Sequence, residues 1–142
     1  MSNLSEIFQL SPAGVMQRAD EMRPFIERLA SKFPEGTFTF YGVLAKFIKV
    51  EWTCLIREDE YGNIGTLGAT ASYPDMNNDP TVQIMFIVGG SLVQAEECHI
   101  MIEKYCRDHG IKTIEFYGRE GWKPMMDRLG YDSSQRIYIK RL

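Results

Sequence analysis

The sequence predicts a mixed α/β sheet flanked by helices. Three observations carry that expectation. Three strand-like segments follow one another between Trp52 and Val88. The third, Thr81 to Val88 (TVQIMFIV), is almost continuously apolar, as a strand covered on both faces should be. From Ile87 to Leu142 the pattern then reads strand, glycine turn, helix, strand, helix, strand, the order that builds a parallel crossover of right-handed sense.

The elements follow in order. Ser11-Pro12 starts a helical region over 12–33, with proline at its first position. Pro24 is expected to break or restart it. Beyond Pro24, Phe25, Ile26, Leu29, Ala30 and Phe33 form one apolar face, and Pro34-Glu35-Gly36 ends it. Residues 38–49 mix strand-favouring aromatics with a helical spacing of Phe40, Val43, Leu44 and Phe47; a short helix running into a strand at 52–56 fits best. Glu60 to Asn63 is a turn, and Ile64 to Tyr73 is a strand whose Gly65 and Gly68 mark a bulge or a weak point. The polar run Pro74 to Pro80 is expected to be the most mobile loop. After Gly89-Gly90, Ser91 and Gln94 form a capping box for a helix with Cys98, Met101, Ile102 and Tyr105 on one face, stopped by Gly110. A strand over 111–117, a helix over 119–129 stopped by Gly130, and a strand over 135–140 complete the chain.

A length of 142 residues fits one domain spanning 1–142. Apolar content of 44% and charged content of 25% are those of a globular protein. A net charge of −3 argues against a nucleic-acid surface. Cys54, Cys98 and Cys106 are odd in number and follow no secretory leader, which implies reduced thiols and a cytoplasmic setting. Cys98 and Cys106 sit about 12 Å apart along one helix, too far to bridge. His99 and His109 lack partners at ligand spacing, so no metal is expected. No apolar run reaches the roughly 18 residues of a membrane helix.

The glycine turn is the first candidate site. A strand ending in two glycines before a helix N-terminus suits an anion, yet Glu96 and Glu97 place two carboxylates early in that helix. Glu115 and Glu120 are the carboxylates that a general base would need, although solvated surface roles suit both. Gly118-Arg119-Glu120-Gly121-Trp122 is either a binding motif or a structural turn.

This order of elements resembles the GNAT superfamily of acyl-CoA-dependent N-acetyltransferases, over about residues 12–142 and most clearly 81–142. The tail, with Gly89-Gly90, Gly118-Arg119-Glu120-Gly121-Trp122, Gly130-Tyr131 and Ile139-Lys140-Arg141-Leu142, is similar to small GNAT-like proteins of tailed bacteriophages. The resemblance implies acetyl-CoA in a wedge between two splayed parallel strands. Its pyrophosphate would lie on a [Q/R]-x-x-G-x-[G/A] loop, which aligns with Gly90-Ser91-Leu92-Val93-Gln94-Ala95. Cofactor contacts would then come from Val88, Gly89, Gly90, Ser91, Gln94 and Ala95.

Three positions depart from the family. Val93 replaces a glycine. Met126 stands where a tyrosine serves as general acid, and methionine has no proton to give. Trp122 replaces a small residue beside the pantetheine and is expected to fill the wedge. Neither Tyr117 nor Tyr131 stands at the acid's position. The expectation is therefore a degenerate phage GNAT-fold module without cofactor, in the virion or host cytoplasm. It would meet a phage structural or host protein, or a second copy, through the 74–80 loop, Trp52, Tyr61, Arg119, Gly121 and Trp122. The alternative is an active N-acetyltransferase using acetyl-CoA on a protein or small-molecule amine.

Overall fold

The computed structural model describes residues 7–116, 120–132, 140 and 142. The strand expected over 135–140 lies outside the described residues apart from Lys140, as do Tyr117, Gly118 and Arg119.

The chain begins with a strand that the sequence did not announce, β1 (Ile7–Leu10). Its four residues are too short to show a period of two. Ser11 then caps α1 (Pro12–Gln17), accepting a hydrogen bond from the Gly14 amide. The break in the helical region falls at Arg18, before α2 (Ala19–Ala30), and Pro24 lies inside α2. Pro24 is exposed, so the helix loses one hydrogen bond there without burying the orphaned carbonyl. Arg18 fixes the break. Its guanidinium pairs with Glu21 at 2.9 Å and Glu58 at 3.4 Å, and donates to the Gly62 carbonyl. Helix α3 (Phe40–Ile48) is capped by Thr39 and buries Val43, Leu44 and Phe47.

Strands β2 (Thr53–Glu58), β3 (Ile64–Pro74) and β4 (Pro80–Val88) form an antiparallel meander with β1 on its edge. Helix α4 (Leu92–Asp108) crosses over to β5 (Thr113–Phe116), which pairs parallel to β4. A single 3₁₀ turn, Glu120–Trp122, leads into α5 (Lys123–Arg128). The last helix therefore starts later than the sequence pattern suggests, because Pro124 fits only in a first turn.

The 74–80 segment closes a hairpin rather than forming a loose loop. The Asp75 carboxylate accepts from the amides of Asn77 and Asp79, and the backbones of Asp75 and Asp79 bond to each other. Two cores cover the sheet. One packs α1, α2 and α3 against Ile56, Leu67, Phe86 and Val88. The other packs α4 and α5 against Val82, Ile84 and Ile87. Strand β4 contributes to both, as its apolar run requires. The three cysteines are buried and free. Among the described residues, no helix is long and apolar enough to cross a membrane, and no group of three or more His, Cys, Asp or Glu could hold a metal.

Candidate functional site

Strands β4 and β5 pair from Thr81–Thr113 to Ile84–Phe116. There the parallel ladder ends, while β4 runs on to Val88 against β3. The parting coincides with a bulge. Ala69 pairs with Phe86 and Thr70 with Ile84, so Met85 is an extra residue on β4. A bulge bends and overtwists its strand, which turns the end of β4 away from β5. The gap is a cleft of about 230 Å³, lined on the sheet side by Phe86, Val88, Gly89, Gly90 and Phe116. Ser91, Leu92 and Ala95 of the α4 start form one wall, and Arg28, Lys32 and Phe33 from α2 and its C-terminal turn form the opposite one.

Each glycine of the turn has a structural reason. Gly89 has φ +94°, and a Cβ there would lie 2.6 Å from the Phe25 ring and 2.7 Å from the Gly65 carbonyl oxygen. Gly90 has φ +76°, and a Cβ there would strike the Gln94 side chain. The capping box is formed: Ser91 Oγ accepts from the Gln94 amide, and Gln94 Oε1 accepts from the Ser91 amide at 2.8 Å. Gln94 therefore works on the turn and is not among the cleft-lining residues, whereas Val88, Gly89, Gly90, Ser91 and Ala95 are. The amides of Leu92 and Val93 open α4 and have no intrahelical acceptor.

The expectation that bulk and charge plug this wedge fails on three counts. Trp122 lines the cleft without filling it, its ring tilted against that of Phe116 with centroids 5.4 Å apart. Val93 points outward and is exposed. Glu96 is drawn to Arg128 at 3.3 Å. Positive charge arrives from a place the sequence reading did not consider, Arg28 and Lys32 on the far wall. The only sequence signal for them is their spacing of four, Arg28 in the last turn of α2 and Lys32 just beyond its end, and nothing local says that this side faces the glycine turn.

Other sequence candidates fall elsewhere. Met126 is buried in the second core. Tyr131 packs against His99, its hydroxyl 3.4 Å from Nδ1, and burial pushes its pKa up to about 12. His99 is 2% exposed, its Nε2 has no partner among the described residues, and burial pushes its pKa down to about 4. Trp52 is half-buried between Phe38, Phe47 and Phe86 and is no exposed contact, whereas Tyr61 is exposed. Gly121 is exposed in the 3₁₀ turn.

Glu115 stands one rung before the parting, paired in register with Gln83. Its carboxylate accepts from the Tyr73 hydroxyl and from Gln83 Nε2, the latter at 3.2 Å. It lies on the sheet face away from α4, beneath the bulge. Glu115 is not among the cleft-lining residues, and as a fixed carboxylate it can accept a proton only from a group that reaches this sheet face.

No protein-family model matches the sequence, and no curated protein does. Solved structures of N-acetyltransferases do match the fold. A ribosomal-protein-alanine N-acetyltransferase from Brucella melitensis biovar Abortus 2308 superposes with TM-score 0.71 at 12% identity, over 96% of this chain and 99% of that one. A Trypanosoma brucei acetyltransferase gives 0.69 at 13% identity over 96% and 99%. Glucosamine-6-phosphate N-acetyltransferase from Arabidopsis thaliana gives 0.63 at 17% identity over 96% and 97%. The chain has the mixed α/β fold of the GNAT acetyltransferases.

Proposed function

We propose that this protein binds acyl-CoA in the β4–β5 cleft and transfers the acyl group to an amine. The observation that carries the reading is the open cleft, with the start of α4 on one side and two cations, Arg28 and Lys32, on the other. The residues present fit the cofactor's phosphates. The first amides of α4 and its dipole favour anions, and Arg28 and Lys32 add full charges. They take over what the missing glycine and amide or basic residue of the family loop would have supplied. Acetyl-CoA would bring an activated thioester. Glu115 would accept the proton that the amine loses, held for that task by Tyr73 and Gln83.

Met126 supports a second reading. With methionine at the acid's position, the leaving thiolate has no proton donor on α5, and the fold then serves as a binding module. That version keeps the bacteriophage resemblance, with a virion or host protein as partner.

Thermal melting with CoA and acetyl-CoA, followed by thiol release over a panel of amines, tests the proposal. Ligand at 100 times its dissociation constant adds about 2.7 kcal/mol, which is several degrees on a domain of this size. The doubly substituted Arg28→Ala, Lys32→Ala protein should lose most of the shift while melting normally without ligand. No shift in the unsubstituted protein overturns cofactor binding. A shift without thiol release on any amine leaves the binding module standing in place of the enzyme.

A further inference from the structure

Two aromatic walls meet at the cleft, one from each core. Phe86 lines it from the core of α1, α2 and α3 and is 2% exposed. Behind it stand Phe38, Trp52 and Phe47, with ring centroids at 5.7, 6.2 and 6.5 Å. Phe116 and Trp122 line the cleft from the core of α4 and α5. Behind Phe116 stand His99 at 4.7 Å and Tyr131 at 6.5 Å. Rings backed in this way have little space to move into, because protein interiors are close-packed. The cleft therefore does not widen by pushing either wall back.

The charges decide which end of a ligand meets these walls. Arg28, Lys32 and the start of α4 share the cleft with the glycine turn, and they suit the phosphates of the acyl-CoA proposed above. Pairing of β4 with β5 ends at Ile84, and β4 then runs on to Val88 before the turn. That stretch is about 13 Å at the usual rise of a strand. An arm anchored at the turn and laid along this edge brings its thioester end to the parting of the strands, beside Phe86, Phe116 and Trp122. Of these three rings, Trp122 carries the largest side chain and belongs least to a core: it is half-buried, at the junction of the 3₁₀ turn and α5.

We infer that Trp122 sets the acyl-chain limit of this protein. With Phe116 against it and Phe86 on the other wall, the indole admits a short acyl group such as acetyl or propionyl and turns longer chains away. The inference rests on the acyl-CoA reading of the cleft and adds to it the residue that chooses among acyl donors. Main-chain geometry opens the cleft, and this side chain fixes how much enters it.

The test is calorimetric titration with CoA, acetyl-CoA, butanoyl-CoA and octanoyl-CoA, each acyl form being compared with acetyl-CoA in the same variant. The unsubstituted protein should bind octanoyl-CoA about tenfold or more weakly than acetyl-CoA. Trp122→Ala should bring that ratio close to unity, and Trp122→Phe should fall between. Should the alanine variant fail to fold, the phenylalanine variant still gives the graded ratio. A general loss of folding or of phosphate binding weakens all the ligands alike, so a purely structural role for the indole would leave the ratio where it is. Failure to bind CoA in any form overturns the acyl-CoA reading and this inference with it. Binding that takes no account of chain length overturns this inference alone, as does a preference for acetyl-CoA that both substitutions leave unchanged.

Discussion

Strand β4 meets its two neighbours differently. Against β3 it is paired from Pro80 to Val88, interrupted only by the Met85 bulge. Against β5 the pairing stops at Ile84. The same backbone is closed on one side and open on the other, and the opening is made by main-chain geometry. Side chains decorate the cleft without deciding whether it exists. Val93, Trp122 and Glu96 therefore do not close it: the first is exposed, the second lies against the Phe116 ring and the third pairs with Arg128.

The closed side should carry the stability. Leu67 is fully buried and lies opposite Val88 in the β3–β4 ladder. Leu67→Ala should cost about 2–5 kcal/mol by the usual cavity penalty, seen as a lower midpoint in urea with little change in slope. A loss below about 1 kcal/mol would mean that the two sides of β4 are equally soft.

Behind the open side sits a different kind of stability, one that depends on pH. His99 is held neutral by burial against Phe116, Trp122 and Tyr131, with Glu96 opposing more weakly. Its folded pKa is about 4 against a reference of 6.5. Between those values the unfolded chain binds the extra proton, so stability is complete above pH 6.5 and falls as the pH drops toward 4. The full loss is about 3 kcal/mol. His99→Phe should flatten the stability profile across that window. An unchanged slope would show that the imidazole takes up its proton while folded.

How much could be read beforehand divides along the same line. The long apolar β4, the Ser91–Gln94 capping box, the glycine stop at Gly110 and the short α3 were legible, because each rests on residues within one turn or strand of one another. The bulge at Met85, the early end of the β4–β5 ladder and the approach of Arg28 and Lys32 were not. They come from strand register and from a helix crossing a sheet, which bring together residues distant in sequence, such as Ala69 with Phe86, Ile84 with Phe116 and Arg28 with Gly89. Pro24 misled for a related reason: a proline costs a helix one hydrogen bond, and tertiary packing of Met22, Ile26 and Leu29 outweighs it.

The glycine turn joins the two sides, and its first residue belongs to the closed one. With φ +94° and Phe25 within 2.6 Å of any added Cβ, Gly89→Ala should cost about 1–3 kcal/mol through strain. It should weaken CoA binding only as far as it weakens the fold, whereas Arg28→Ala should weaken binding alone. If Gly89→Ala proves as stable as the unsubstituted protein yet loses CoA, the turn is a phosphate cradle first and a packing joint second.

The smallest expected effect sharpens the electrostatic half of the comparison. Glu96 lies next to Ala95 of the cleft wall, and its charge is partly answered by Arg128 at 3.3 Å. Both groups are partly solvated, so the pair adds little to stability, about 0.2–1 kcal/mol. Its effect on a bound polyanion is the more informative quantity. Arg128→Met frees the carboxylate and should weaken CoA binding about two- to threefold at low salt, an effect that vanishes near 0.5 M salt as screening shortens to a few ångströms. Glu96→Gln should do the reverse by a similar factor. Affinities that ignore both substitutions would place the phosphates away from the start of α4, against the Arg28 and Lys32 wall alone.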